Sequence, residues 1–268
     1  MVKERSQFPV PGYRSYMQID VALLPGQTTD SSRALYIVVD VLRASSSIVT
    51  LLEREAARVV AARTVEDARA LKKSLGDHIL CGERDGLPPE GFDYGNSPAE
   101  FARADLAGKG VILATSNGTR LMAALADAPA VLVGCLLNRT ACARAALAMA
   151  RERDLDISVV CSAAYGGSTF VLEDALGAGA IVDAVMSTEP ELECGDAARF
   201  ARDAFVTASG ELAGAVASAR HARELAEAGL GEDVAYCAQL DVSGVVPVLE
   251  RGDDGVLVVR RATRLPQT

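Results

Sequence analysis

Tyr36-Ile37-Val38-Val39-Asp40-Val41-Leu42-Arg43-Ala44-Ser45-Ser46-Ser47 changes character along its length. Its apolar, β-branched first part reads as a buried strand, and the serines followed by Ile48, Val49, Leu51 and Leu52 read as the start of a helix. Asp40 and Arg43 stand between the two. A strand that ends in a carboxylate, a cation and a hydroxyl-rich helix N-terminus is a place where an α/β protein can hold a metal and an anion, because ligands gather beyond the carboxyl ends of strands. The plainer alternative is that Asp40 caps the helix and Arg43 is solvated.

The same alternation recurs outward from this stretch. Upstream, residues 17–23 alternate like a short strand before the Pro25-Gly26 turn, and residues 1–15 read as irregular. Downstream, the helix runs to about Glu55, a short strand follows at 58–62, and Thr64-Val65-Glu66-Asp67 opens a helix as a capping box. Residues 79–81 are strand-like. Gly82 to Asn96 is a long loop rich in glycine, proline and charge, of a kind that in compact domains is functional or disordered. Its exit is defined: Ser97 is an N-cap, Pro98 takes the first helical position and Glu100 completes the box.

A buried strand at 110–114 then feeds Thr115-Ser116-Asn117-Gly118-Thr119-Arg120 and another helix. Backbone N–H groups and hydroxyls at such a turn accept a phosphate or sulfonate; plain capping by Asn117 or Thr119 is the alternative. A strand at 130–135, a helix capped by Asn138 and a strand at 157–161 come next. The last opens into Ser162-Ala163-Ala164-Tyr165-Gly166-Gly167-Ser168 and a helix carrying Glu173 and Asp174. Residues 196–205 and 209–230 read as Ala-rich helices, the second holding His221 on a solvated face. Residues 245–249 and 256–259 read as a hairpin around Asp253-Asp254-Gly255. Strands alternating with helices predict a three-layer α/β/α architecture with a largely parallel or mixed sheet, in one domain with room for a small subdivision. Its three polar turns are expected to converge on one edge.

Composition narrows the chemistry. A chain of 268 residues, 50% apolar, buries enough surface to fold without staples, and its net charge of -9 argues against a nucleic-acid partner. No stretch resembles a signal peptide or approaches the ~18 apolar residues of a membrane helix, so a cytoplasmic protein is expected. Six cysteines without a Cys-x-x-Cys pair suit reduced thiols, and two sequons are discarded for want of a secretory leader. The Ala-rich helices past Asp196 could form a homo-oligomer interface or a close-packed layer.

A P-loop is absent, and His78 and His221, the only two histidines, lie outside glycine-rich turns, which disfavours Ser-His-Asp and zinc chemistry. Carboxylates on loops suit Mg²⁺ instead. Leu42 stands where a phosphoaspartyl enzyme of the haloacid-dehalogenase kind needs a second Asp. Gly167 stands where a cysteine phosphatase built on Cys161 needs Arg, so Cys161 reads as a buried apolar thiol. What survives is metal-assisted hydrolysis of a phosphate ester.

Val39-Asp40-Val41-Leu42-Arg43-Ala44-Ser45, Gly82-Glu83-Arg84, Gly86-Leu87, Pro89-Glu90-Gly91-Phe92-Asp93, Gly95-Asn96-Ser97-Pro98, Thr115-Ser116-Asn117-Gly118-Thr119 and Leu172-Glu173-Asp174, in this order and spacing, resemble the 2-phosphosulfolactate phosphatase family. Tyr236-Cys237 and Val245-Val246-Pro247 extend the resemblance, which covers about residues 17 to 250. It implies an α/β fold and Mg²⁺-dependent hydrolysis of 2-phosphosulfolactate to sulfolactate and phosphate, a step of coenzyme M biosynthesis. On this basis Asp40 and Glu83 are expected to hold Mg²⁺. Arg43, Ser45, Arg84, Asn96, Ser116, Asn117, Gly118 and Thr119 are expected to bind the small anionic phosphomonoester. Asp40 is a catalytic candidate, and Glu173 or Asp174 is expected to orient a water that attacks directly. Ala163-Ala164-Tyr165 departs from the more polar family pattern, so the sulfonate end is expected to be bound differently here. A non-catalytic binder of anionic metabolites and a phosphotransferase remain the rival readings.

Overall fold

The computed structural model describes residues 17–28, 31–252 and 255–262. Its strands are β1 (Gln18–Ala22), β2 (Ala34–Val39), β3 (Arg58–Ala62), β4 (His78–Gly82), β5 (Gly110–Ala114), β6 (Ala130–Gly134), β7 (Asp156–Cys161), β8 (Glu193–Cys194), β9 (Pro247–Arg251) and β10 (Leu257–Arg261). Its helices are α1 (Ala44–Glu53), α2 (Val65–Leu75), α3 (Pro98–Phe101), α4 (Gly118–Ala124), α5 (Arg139–Arg153), α6 (Leu172–Thr188), α7 (Asp196–Ala208), α8 (Leu212–Ser218), α9 (Arg220–Glu227) and α10 (Gly231–Cys237). The irregular stretch expected at 1–15 and the two aspartates of the hairpin turn lie outside the described residues.

Strand β2 explains the layering. All of its residues are buried, as befits a central strand covered on both faces. Leu35, Ile37 and Val39 point into a core shared with α5, α6 and α7, whereas Tyr36 and Val38 point into one shared with α1, α3 and α4. Period-two alternation therefore feeds two separate cores from one strand. A third cluster packs Ala68 of α2 on Val60, Leu80 and Ile112. At Gly179 of α6 an added Cβ would lie 2.0 Å from the Ala201 carbonyl oxygen of α7, so only glycine permits that close approach. No helix of the described residues is long and apolar enough to cross a membrane.

The sheet is a single ten-stranded mixed one, in the order β4-β5-β3-β10-β9-β6-β2-β7-β1-β8. It confirms the α/β class. Strands β6, β2, β7, β1 and β8 pair in parallel, as do β3, β5 and β4. Between the two sets lies the C-terminal hairpin, antiparallel to β3 on one side and to β6 on the other. Nominally this makes the two parallel sets run in opposite directions. Five strand steps separate β2 from β5, and a twist of about 20–25° per step accumulates to roughly 100–125°. The turn after β5 nevertheless reaches Asp40 at the end of β2, so close that a Cβ on Gly118 would stand 2.7 Å from Asp40 Oδ2.

One expected element is corrected. Residues 209–230 are not one helix but a 3₁₀ turn, α8 and α9, broken at Ala219, whose backbone is extended. The break turns α9 across the end of the sheet, with consequences for His221.

Candidate active site

Asp40 follows β2 and is 6% exposed. Its Oδ1 accepts the Ala44 N–H at 3.0 Å, so it does cap α1. The serines behind it fasten strand to helix: Ser45 Oγ accepts the Asp40 N–H and donates to the Val38 carbonyl, and Ser46 Oγ donates to the Val41 carbonyl. This fixes the Asp40 backbone and corrects the expectation for Ser45, whose hydroxyl is engaged inside the turn and fully buried. Burial pushes the Asp40 carboxyl above the ordinary range, an effect that hydrogen bonds only partly offset.

Arg43 is not solvated. Its guanidinium is buried, with Nη1 2.8 Å from Asp233 Oδ2 and Nη2 donating to the Gly86 carbonyl at 2.8 Å. Asp233, in the first turn of α10, also accepts from Ser97 Oγ at 2.6 Å and from the Ala99 N–H at 3.1 Å. Three separate segments are thus tied around one cation that still reaches the cavity wall.

Glu83 ties two turns together. Its Oε1 accepts the Ser116 N–H at 2.7 Å and its Oε2 the Gly86 N–H at 3.0 Å. Arg84 points the other way, pairing with Glu66 at 3.0 Å on the surface, in a shallow groove with Arg63 and Arg120 rather than in the cavity that holds Asp40. The expectation that Arg84 clamps substrate beside Arg43 is corrected accordingly. Asn96 is 3% exposed and lines that cavity, and its Oδ1 has no hydrogen-bond partner.

In the turn after β5, Ser116 and Asn117 face the cavity while Thr119 does not. The Thr119 hydroxyl donates to the Thr115 carbonyl and accepts the Thr115 N–H, which stiffens the turn and engages the hydroxyl inside it rather than at the cavity. Gly118 serves by its lack of a side chain, since a Cβ would press on Asp40 and Ala44. Asn117 Oδ1 accepts the Gly166 N–H at 3.0 Å and so joins this turn to the one after β7.

Neither carboxylate of α6 reaches the cavity surface as expected for orienting water. Asp174 accepts the Val41 and Ala163 N–H groups at 2.8 and 3.1 Å and the Ser162 hydroxyl at 3.3 Å. It is a brace between the turns after β2 and β7. Burial first, then the charges of Asp40 and Glu173, push its carboxyl well above the ordinary range. Glu173, 1% exposed, holds His221 Nδ1 at 3.0 Å through Oε1.

His221 is the residue that the sequence reading missed. Because the chain bends at Ala219, Arg220, His221, Glu224 and Leu225 of α9 form a wall of the cavity. Arg220 lies over the Tyr165 ring, 5.5 Å from its centroid. Burial lowers the imidazole's proton affinity, but the hydrogen bond and charge of Glu173, with the charges of Asp40 and Glu224, outweigh it and raise its pKa. Asp233 was equally hidden, its partner Arg43 being 190 residues away in the chain. Arg120 carried a faint signal, since it ends the polar turn that begins at Thr115.

The cavity so formed measures about 390 Å³ and gathers the turns after β2, β4, β5 and β7 under α9. Its walls mix Asp40, Glu83, Asp85 and Glu224 with Arg43, Arg120 and Arg220. Strand-end turns and arginines around a small polar cavity suit an anionic metabolite, and the comparisons with known sequences agree. The family described as 2-phosphosulpholactate phosphatase matches residues 22–252. This chain belongs to the 2-phosphosulfolactate phosphatase family. The probable 2-phosphosulfolactate phosphatase of Deinococcus radiodurans is 38% identical over 239 residues, covering 89% of this chain and 95% of its own. Those of Clostridium acetobutylicum and Pseudothermotoga lettingae are each 37% identical, covering 81% and 86% of this chain and 90% and 95% of theirs. The phosphatase family's matched region includes every residue of the cavity described above.

Proposed function

We propose that this phosphatase hydrolyses 2-phosphosulfolactate to sulfolactate and inorganic phosphate with the help of Mg²⁺. The observation that carries the reading is the convergence of four strand-end turns on one cavity lined by four carboxylates, Asp40, Glu83, Asp85 and Glu224, and three arginines. A substrate with phosphate, sulfonate and carboxylate groups needs several cations in one place, and an otherwise acidic chain provides Arg43, Arg120 and Arg220 there. The relatives' names support the same substrate.

The donor set fits magnesium. Among the described residues no group of three or more His, Cys, Asp and Glu side chains stands ready to hold a metal ion. Magnesium asks for less, taking one or two carboxylates and completing its shell with water and phosphate oxygens. Asp40 and Glu83 are the carboxylates for it, and the charge of Glu83 adds to the forces that disfavour the Asp40 carboxylate. A hard cation offsets that excess of negative charge. When bound it supplies neutralisation of charge on the phosphoryl oxygens.

The chain's own groups do the rest. Arg43, held rigid by Asp233 and the Gly86 carbonyl, fixes an anionic group without the entropy of a free side chain. Asn96 brings a buried amide to the same cavity, which the Ser116 and Asn117 turn also lines. The test is phosphate release from 2-phosphosulfolactate by protein stripped with a chelator and then supplied with Mg²⁺, repeated with Asp40→Asn. Release restored by Mg²⁺ and lost in the variant is expected. Calorimetric binding without release in either condition would instead mark a metabolite binder, and unchanged activity in Asp40→Asn would refute the metal assignment.

A further inference from the structure

Hydrolysis of an alkyl phosphate has a requirement that the arginines and carboxylates above do not meet. As the bond between phosphorus and the ester oxygen breaks, that oxygen becomes an alkoxide unless it receives a proton. Guanidinium groups hold their protons at any working pH, so Arg43, Arg120 and Arg220 stabilise charge without donating. Glu83 has each oxygen engaged by a backbone N–H.

His221 and Glu173 form a further pair at this cavity, and their arrangement suits the task. Glu173 is almost wholly buried, and its Oε2 has no hydrogen-bond partner, a costly state that packing does not explain. Its Oε1 lies 3.0 Å from His221 Nδ1. The imidazole side chain is 32% exposed and lines the cavity. With Nδ1 turned to the carboxylate, Nε2 is the nitrogen available to a bound ester, and the carboxylate fixes ring orientation and tautomer.

We propose that His221 is the general acid of this phosphatase, delivering the Nε2 proton to the ester oxygen as the bond to phosphorus breaks, with Glu173 as its positioning residue. This rests on the hydrolase reading above. The electron pair of the breaking bond goes to the ester oxygen, which takes the proton and leaves as the alcohol. The oxygen of water bonds to phosphorus and gives up one proton to solvent, from which His221 is recharged. Ester and water become alcohol and inorganic phosphate, and no other reactant is needed.

The groups facing the imidazole are acidic: Glu173 from α6, Asp40 from the end of β2 and Glu224 from its own helix. Helix α8 carries no titratable side chain, and Glu232 and Asp233 of α10 are turned to Arg103 and Arg43. Arg220, the neighbouring cation, is drawn to Tyr165 and Glu224.

The experiment compares wild type, His221→Gln, His221→Asn and Glu173→Gln, each supplied with Mg²⁺ and verified as folded by circular dichroism. The substrates are 2-phosphosulfolactate and 4-nitrophenyl phosphate, whose phenolate leaves without a proton. On the alkyl ester the His221 variants are expected to lose about 10²–10⁴-fold in kcat, and on the aryl ester less than about tenfold. The alkaline limb of the kcat profile is expected to vanish in the His221 variants and to move to lower pH in Glu173→Gln. Equal losses on both esters, no loss, or an alkaline limb that persists in the His221 variants overturns the proposal while leaving the hydrolase reading intact. Wild type that hydrolyses neither ester overturns both.

Discussion

The buried pair of Arg43 and Asp233 offers the sharpest test of how this site is held together. Their side chains are 3% and 2% exposed and meet at 2.8 Å. In Asp233→Ala the guanidinium keeps only the Gly86 carbonyl, and the Ala99 N–H loses its acceptor. Removing one member of a buried ion pair leaves an uncompensated charge and costs about 3–5 kcal/mol. At about 2–4 °C per kcal/mol for a chain approaching this size, the melting temperature falls by roughly 6–20 °C. Replacing both partners is different. Asp233→Ala with Arg43→Met removes the orphaned charge, so the double variant is expected to recover most of the stability while remaining inactive, because the cation proposed to hold the substrate is gone. Equilibrium unfolding in urea and thermal melting of wild type, both single variants and the double variant read the coupling directly. An Asp233→Ala protein within about 1 kcal/mol of wild type, or a double variant no more stable than that single one, would falsify the claim that a desolvated pair organises this end of the sheet.

Gly118→Ala places a methyl 2.7 Å from Asp40 Oδ2 and 2.6 Å from the Ala44 Cβ. It is expected to cost about 1–3 kcal/mol in stability and, by displacing the carboxylate, about 10²-fold in kcat/KM, read by urea unfolding and phosphate release. His78 receives two hydrogen bonds from Arg58 at Nε2, and burial followed by the Arg58 charge holds its pKa below the ordinary 6.5. The unfolded chain therefore takes up a proton that the folded one refuses. Stability rises with pH through that window and is lost as pH falls from the unfolded pKa toward the folded one; unfolding free energies at about pH 7.5 and pH 5 should show a drop that His78→Gln lacks. Of the cysteines, only Cys194 is partly exposed, and burial raises the Cys161 thiol well above its usual range. A thiol reagent added to native protein should titrate one group and denaturant release the others, and Cys161→Ala should retain activity; its loss would reopen cysteine chemistry.

Local order was legible in the residues themselves. The strands at 58–62 and 110–114 lie where apolar runs bounded by turn residues put them, and Ser97 caps its helix by accepting the Glu100 N–H. Even the C-terminal hairpin was readable as a hairpin. Such features depend on neighbours a few positions apart, and hydrophobic period, β-branching and capping chemistry encode them directly. The α/β class, the polar strand-end turns and the family motifs followed from the same local signals.

Other features depended on which groups meet across long separations. That Ser45 and Thr119 turn their hydroxyls to backbone, while Asn96 and Ser116 face the cavity, is settled by hydrogen-bond partners that motif spacing does not specify. The hairpin's place in the middle of the sheet reverses one parallel set against the other, yet the folded chain sets Gly118 against Asp40. The break at Ala219 changed His221 from a surface histidine into a cavity wall held by Glu173. Local patterning was enough for the strands, the helices and the presence of Asp40 and Arg43 at a strand end. Their company came from long-range packing, because a buried charge takes its partner from whatever the fold packs beside it, here Asp233, 190 residues along the chain from Arg43.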